Sequence, residues 1–333
     1  MRTKLLATIA ALLLGVGLAA CGDDSDDSPA AAAKAGDDPV SVSFTVALTN
    51  DPFFITQRCG AEDAARKLNV KLSFQGPTSA DFQQELKAFN SELVKQPDAA
   101  VVVPFSPTAF LAPVRNAVAQ GIPVVLNNGT LSQEGVGSKQ FVTNETQLGK
   151  LAAEGLAKAI GERGEVAMLA FRSDVPPHQK RIAGFREGMK AFPNIKIVDL
   201  QYSNGEAAKA AAEVNAMLQA HPDLKGLFAT DTTNSQAAAS AIKGNDKAGA
   251  VKLVGYDASP QEVAALRAGT IQGLVAQDPY RYGYETTKYA AQLARKQVPA
   301  KPAEFTQELG GKYIDKATLD SPEVKPFLYR GSC

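Results

Sequence analysis

Thr49-Asn50-Asp51-Pro52-Phe53-Phe54 is the stretch whose reading decides the fold of this chain. It follows an alternating, β-branched run that puts Val42, Phe44 and Val46 on one face, and it opens a helical pattern that ends near Leu68. A strand that breaks into polar residues, a proline and paired aromatics sets those side chains at the carboxyl edge of a sheet. Open α/β sheets bind their ligands there. A local reading fits as well: Asn50 or Asp51 caps the helix, Pro52 takes its first turn, and the phenylalanines join the core.

Working outward, strand and helix patterns alternate. The pattern predicts strands over 42–48, 70–75, 99–103, 122–126 and 140–142, with helices over 53–68, 80–95 and 108–120 between them. Thr143-Asn144-Glu145 interrupts the rhythm, which then restarts. Helices are predicted over 147–160, 179–191, 206–220, 235–243, 260–268 and 280–295, and strands over 165–170, 196–201, 226–229, 252–256 and 270–276. Pro299 then opens an irregular tail. Short apolar strands separated by amphipathic helices imply parallel sheets with crossover helices. Two such runs of similar length imply an α/β protein of two Rossmann-like, doubly wound lobes.

The bulk properties narrow the function. Of 333 residues, 45% are hydrophobic and 21% charged, enough for a sizeable core. Thirty-five basic residues balance 35 acidic ones, so no net field favours nucleic acid or an anionic membrane. Trp is absent and only His178 and His221 occur, which leaves little for a metal site or a histidine-based dyad, and no cofactor is expected.

The amino terminus reads as a targeting signal. Arg2 and Lys4 precede an apolar segment from Leu5 to Leu18, and Leu18-Ala19-Ala20-Cys21 follows. The segment is too short for a mature spanning helix. Cysteine directly after Leu-Ala-Ala resembles the bacterial lipobox, which makes 1–20 a lipoprotein signal peptide and Cys21 the lipidated mature terminus; an ordinary signal peptide with an incidental cysteine is the alternative. Residues 21–39, with Asp23, Asp24, Asp26, Asp27 and the run Ala30–Ala33, read as a disordered tether. The protein is therefore expected to be exported and held by lipid at a membrane surface, periplasmic or on the outer face. In that setting the two remaining cysteines, Cys59 and Cys333, suggest one disulfide, with two free thiols as the alternative.

Compared together, the strand ends resemble those of the type I periplasmic sugar-binding proteins, the ribose-binding kind above all. The motifs are Asn50-Asp51-Pro52-Phe53-Phe54, Gly121-Ile122-Pro123-Val124-Val125, Arg181-Ile182-Ala183-Gly184-Phe185, Ala220-His221-Pro222-Asp223, Val254-Gly255-Tyr256-Asp257 and Ala276-Gln277. The resemblance spans Val42 to about Leu309. It implies two lobes joined by three crossing segments that close over one ligand, with crossings near Thr143–Asn144, Gln277–Asp278 and Ala303–Glu304. The amino-terminal lobe would then hold 40–143 and 278–303, and the carboxyl-terminal lobe 144–277 and 304–333 with the tail.

The resemblance also implies a site. Sugar hydroxyls both donate and accept, and the C–H faces of the ring stack on aromatics, so carboxylates, amides and aromatic walls are needed. Asn50, Asp51, Phe53 and Phe54 would form the first lobe's wall, and Asn128 would face the ligand with Asn127 as its outward neighbour. Asp231, Asp257 and Gln277 would serve from the second lobe and the hinge, although each Asp also fits a helix N-cap. Phe105 brings an aromatic to another strand end, and His178 lies on a loop that can reach the cleft. His221 reads as a helix-terminal residue.

The departures are informative. Ribose-binding relatives carry an Asp-Arg pair where this chain has Asn128-Gly129, and an arginine where it has Gln179. A less charged pocket suggests a ligand other than ribose, a polyol or another sugar. The resulting expectation is a monomeric, lipid-anchored solute-binding protein that hands a small sugar or polyol to an ABC transporter permease. A sensor read by a membrane receptor uses the same closed form. An exported enzyme is disfavoured, since no Gly-x-Ser-x-Gly elbow, metal-ligand cluster or phosphate loop occurs. A repressor is disfavoured because a signal peptide and acidic linker stand where a helix-turn-helix would be.

Overall fold

A computed structural model describes residues 38–79 and 81–333. The signal segment, Cys21 and the tether as far as residue 37 lie outside the described residues.

The first run comprises β1 (Val40–Thr45), α1 (Pro52–Lys67), β2 (Val70–Gln75), α2 (Phe82–Val94), β3 (Ala99–Val102), α3 (Leu111–Ala119), β4 (Val124–Asn127) and β5 (Lys139–Thr143). The second comprises α4 (Glu145–Ile160), β6 (Gly164–Ala170), α5 (Pro176–Met189), β7 (Ile195–Tyr202), α6 (Ala207–Ala220), β8 (Leu224–Ala229), α7 (Thr232–Gly244), β9 (Lys252–Tyr256), α8 (Pro260–Ala268) and β10 (Gly273–Gln277). The chain then adds α9 (Pro279–Ala294), β11 (Thr306–Leu309), β12 (Gly311–Asp315) and a 3-10 turn at Lys325–Phe327. One six-stranded sheet runs β11-β5-β4-β3-β1-β2, and the other β12-β10-β9-β8-β6-β7. The expected pair of doubly wound α/β lobes is what forms.

Each sheet is covered on both faces, which is why its strands read as continuous apolar runs. In β3, Ala99 and Val101 pack with Phe44 and Tyr282, while Ala100 and Val102 pack with Phe89 and Phe110 on the other face. In β6, Val166 and Met168 pack with Phe185 and Tyr256, and Ala167 and Leu169 with Val214 and Leu227. The period of two thus splits each lobe's core into two layers.

The chain passes between the sheets after β5, after β10, and between β11 and β12. The third passage falls at Gly310, later than the expected Ala303–Glu304. Thr306 to Leu309 pair in parallel with Gln140 to Thr143 in the first sheet, and buried Lys139 donates to the Glu304 carbonyl at 2.8 Å. β11 escapes sequence reading because Thr306-Gln307-Glu308 is a polar, half-exposed edge with no apolar run. β12 pairs antiparallel with β10 and was likewise hidden in the tail.

Two helix contacts position the site. A Cβ on Gly60 would meet the Tyr280 carbonyl oxygen, and one on Gly283 the Gln57 carbonyl, so α1 and α9 touch backbone to backbone. α4 and α5 do the same through Gly149 and Gly184. This close approach sets Arg181 of α5 beside Glu145 at the start of α4.

Candidate functional site

The carboxyl ends of the strands from both lobes enclose a cavity of about 210 Å3, far more than the roughly 10–15 Å3 that one water needs. Phe53, Phe54 and Phe105 from the first lobe and Phe171 from the second give it apolar walls. Phe105 and Phe171 meet across the cleft edge to face at 6.4 Å between ring centroids. His178 stacks on Phe171 at 5.1 Å, and its Nδ1 is 3.1 Å from Thr230 Oγ1. Burial, followed by the nearby Arg181 charge, pulls the His178 pKa well below its usual value, which keeps the ring neutral.

Polar groups converge between these walls. Asp51, Asn128, Asp231, Asp257 and Gln277 all line the cavity. Asp51 is the N-cap of α1, with Oδ1 accepting from the Phe53 amide at 2.8 Å. Asp231 caps α7, accepting from the Asn234 amide at 3.0 Å. For these two the capping and cleft readings are compatible, because a carboxylate has about four acceptor positions and the cap amide takes one. Asp257 is different. Ser259, with Glu262 in a capping box, caps α8 instead. Asp257 Oδ2 accepts from the Thr232 amide and hydroxyl at 3.2 and 3.1 Å.

Asn128 and Asp257 both end strands in the left-handed region, with φ of 46° and 87°. Strained backbone of this kind gathers at ligand clamps, where the surrounding structure holds it in place. Here it aims two side chains inward at the point where a strand would have carried them sideways.

A hydrogen-bonded chain links the lobes beneath the cavity floor. Asn128 Nδ2 donates to Gln277 Oε1 at 3.1 Å, and Gln277 Nε2 donates to Glu145 Oε1 at 2.9 Å. Arg181 grips Glu145 through Nε at 2.8 Å and Nη2 at 3.1 Å, and its Nη1 donates to the Thr230 carbonyl at 2.7 Å. The guanidinium lies 3.7 Å from the Tyr256 ring centre. Burial works against the Arg181 charge, but Glu145 and Tyr256 more than offset it and raise its pKa. Such a forked, stacked arrangement suits arginine and not lysine.

The carboxylates feel one another. Burial, then repulsion from Asp257, lifts Asp51 to about 6, against the amides of Phe53 and Phe54. Burial lifts Asp231 to about 6 as well, opposed by the Asn234 amide. Asp257 is raised by burial and held down by Arg181, Tyr329 and Thr232.

Some expected site residues fall elsewhere. Asn50 is exposed and does not line the cavity, because Asp51 takes the inward position at the helix start. Gln179 is exposed and donates from Nε2 to the Ser173 carbonyl at 2.5 Å, so it holds a loop and not the cavity. Asn127 is fully buried, donating to Gln57 Oε1 at 3.0 Å, and is not the outward neighbour expected. Phe53 does both jobs: it lines the cavity while only 8% exposed in the second lobe's core cluster. Sequence reading missed Phe171, Thr232 and the Glu145–Arg181–Tyr256 group. A lone arginine before Ile182-Ala183-Gly184-Phe185, and a glutamate in the hinge break, were the available signals.

With this geometry in place, comparison with known proteins identifies the class. Residues 42–297 match the periplasmic binding protein domain family, and the chain belongs to it. Among characterised relatives, it is 30% identical to the D-ribose/D-allose-binding protein of Pseudomonas aeruginosa, over 89% of this chain and 93% of that one. Among solved structures, it resembles an ABC transporter solute-binding protein from Agrobacterium vitis bound with α-D-tagatopyranose, at TM-score 0.81 and 26% identity, covering 87% of this chain and 99% of the other. It also resembles a carbohydrate transporter solute-binding protein from Agrobacterium radiobacter in complex with D-arabinose, at TM-score 0.80 and 26% identity, with 87% and 99% covered.

Proposed function

We propose that this protein is the solute-binding component of an ABC importer and captures a monosaccharide-sized sugar or polyol between its lobes. The observation that carries this reading is one cavity with opposed aromatic walls, Phe53, Phe54 and Phe105 against Phe171, edged by three carboxylates and two amides drawn from both lobes. Carboxylates and amides accept from and donate to vicinal hydroxyls, and the rings cover the C–H faces. Charge-assisted hydrogen bonds contribute about 1.5–3 kcal/mol each, so a few of them reach the −8.2 kcal/mol or so of a micromolar complex.

Ligand favours the closed form because it adds bonds to both lobes at once. Asp51 and Asn128 hold it from the first lobe, Asp231 and Asp257 from the second, and Gln277 from the hinge. The closed surface is what a permease would read. Where ribose-binding relatives place an arginine, this chain has Gly129, and a Cβ there would stand 2.8 Å from the Pro104 ring. Pro104 therefore crowds any side chain at position 129, and the absence of that arginine from the pocket favours a ligand other than ribose. The Leu-Ala-Ala-Cys21 signal supports lipid anchoring at Cys21, and the family resemblance alone supports a monomer.

Titration calorimetry with D-ribose, D-allose, D-tagatose, D-arabinose and a set of polyols tests the reading. One narrow group should bind, and its affinity should fall as pH drops through about 6, where Asp51 and Asp231 take up protons. No binding across the panel, together with binding of amino acids or nucleosides, would sink it. Cys21→Ser should move the protein from the membrane fraction to the soluble fraction, and continued membrane association would refute the anchor.

A further inference from the structure

The last stretch of chain is not absorbed by the two-lobe plan. After β12 the tail runs over the second lobe, where Leu319 and Val324 are buried in its core. Tyr329 then turns in behind the cavity. Its N–H donates to the Ala258 carbonyl at 2.9 Å, and its phenol donates to Asp257 Oδ1 at 2.8 Å. The phenol oxygen of Tyr329 accepts from the Gln277 backbone N–H at 3.3 Å, and the ring packs edge-on against Phe53 at 5.7 Å. One residue later the chain is fastened to the first lobe. The Arg330 amide donates to Thr56 Oγ1 in α1 at 2.7 Å, and its guanidinium sits 4.9 Å from the Tyr280 ring centre. Cys333 is bridged to Cys59 of α1, with Cα atoms 5.3 Å apart.

We propose that this tail is a fourth connection between the lobes, in which Tyr329 positions Asp257 and Gln277 for ligand and the Cys59–Cys333 bridge limits how far the cleft opens. Type I lobes move about their hinge peptides, and the tail ties the two lobes at a point outside those peptides. Its second-lobe end is held by burial of Leu319, Val324 and Tyr329, and its first-lobe end by a covalent bond. The four residue steps from Tyr329 to Cys333 reach at most about 14 Å when extended. Opening beyond that span would pull Tyr329 out of its site and release Asp257. Within it, Tyr329 stays on both ligand groups, so the open cleft keeps them pre-aimed and less ordering is left for the ligand to impose.

The binding part of this proposal rests on the sugar-binding reading, whereas the opening part does not. Two variants test it, Tyr329→Phe and the double variant Cys59→Ser/Cys333→Ser, with wild type under a phosphine reductant as a check on the latter. Small-angle scattering of ligand-free protein should give a larger radius of gyration for the double variant and for reduced wild type; an unchanged radius overturns the strap. Tyr329→Phe keeps the ring, so the protein should fold with a modestly lowered Tm while the ligand-free Gln277 backbone amide exchanges hydrogen faster. Its Kd for the tightest sugar of the panel should rise roughly tenfold, because Asp257 is no longer held aimed at the ligand. The acid limb of binding should move to higher pH, since Asp257 loses a donor while the other charges facing it (Arg181, Asp51, Asp231, Glu145 and Glu262) stay in place. Unchanged exchange at Gln277, or an unchanged Kd and pH limb, overturns the positioning role. If no sugar binds wild type, the sugar reading fails, and scattering and exchange still decide the strap.

Discussion

The two lobes share a plan and divide the work. Each has a six-stranded sheet with helices on both faces, and each has one helix pair in backbone contact through a glycine on either side. At the cleft they differ. The first lobe offers mainly surfaces: Phe53, Phe54, Phe105 and the Pro104–Gly129 contact, with Asp51 and Asn128 at its edge. The second lobe offers charge: Asp231 and Asp257 over a buried Arg181–Glu145 pair whose side chains are 8% and 5% exposed. The difference teaches that a duplicated scaffold specialises where its strands end and not in its layers. A wall needs only shape, whereas buried ions need a partner for every lone pair.

The largest effect that would break this contrast lies in the second lobe. Arg181→Met leaves Glu145 buried without its forked partner and should cost about 3–5 kcal/mol, read from urea denaturation; a loss below 1 kcal/mol would show that the pair is not what supports this lobe. Next comes Asp257→Asn, which keeps the shape but removes a charged acceptor. It should weaken sugar binding by roughly a hundredfold, about 2.7 kcal/mol, with little change in Tm. Phe105→Ala, on the first lobe, should weaken binding by about tenfold at most; a larger loss than for Asp257→Asn would reverse the division of labour.

A separate effect, set by pH, concerns stability in the first lobe. Glu85 is fully buried behind Phe105, accepts weakly from its amide at 3.3 Å, and has no partner for Oε1. Burial lifts its pKa from 4.5 to about 9. Because the folded protein holds this proton more tightly than the unfolded chain, the stabilisation is complete below about 4.5 and is lost as pH rises toward 9. Glu85→Gln does not titrate, so its Tm should exceed that of wild type at pH 8, with the gap closing by pH 5. An equal Tm difference at both pH values would show that Glu85 does not titrate in this window.

Much of the cavity lining that makes up the candidate site was legible because strand ends announce themselves. Asp51, Phe54, Asn128, Asp231, Asp257 and Gln277 each follow an apolar run, and a doubly wound sheet sends all such ends to one edge. Asn50 and Gln179 failed for a rotational reason. Asp51 is in extended backbone just before α1, where successive side chains point to opposite sides, so it faces inward and Asn50 does not. In α5 each step turns a side chain by about 100°, so His178 and Arg181 line the cavity and Gln179 does not. β11 and β12 were illegible because an exposed edge strand needs no apolar run.

By itself the sequence determined the layering: period-two and helical patterns set which elements form, and burial on both faces set their composition. Its motifs also determined the family. Only the tertiary structure decided which charges meet. Glu145 and Arg181 are 36 residues apart and Tyr256 lies 111 from Glu145, and their contact depends on two glycines letting α4 and α5 touch. It also decided that the tail returns to α1, 274 residues away along the chain. Pairings at such separations leave no local pattern, because they are selected by packing after the elements exist.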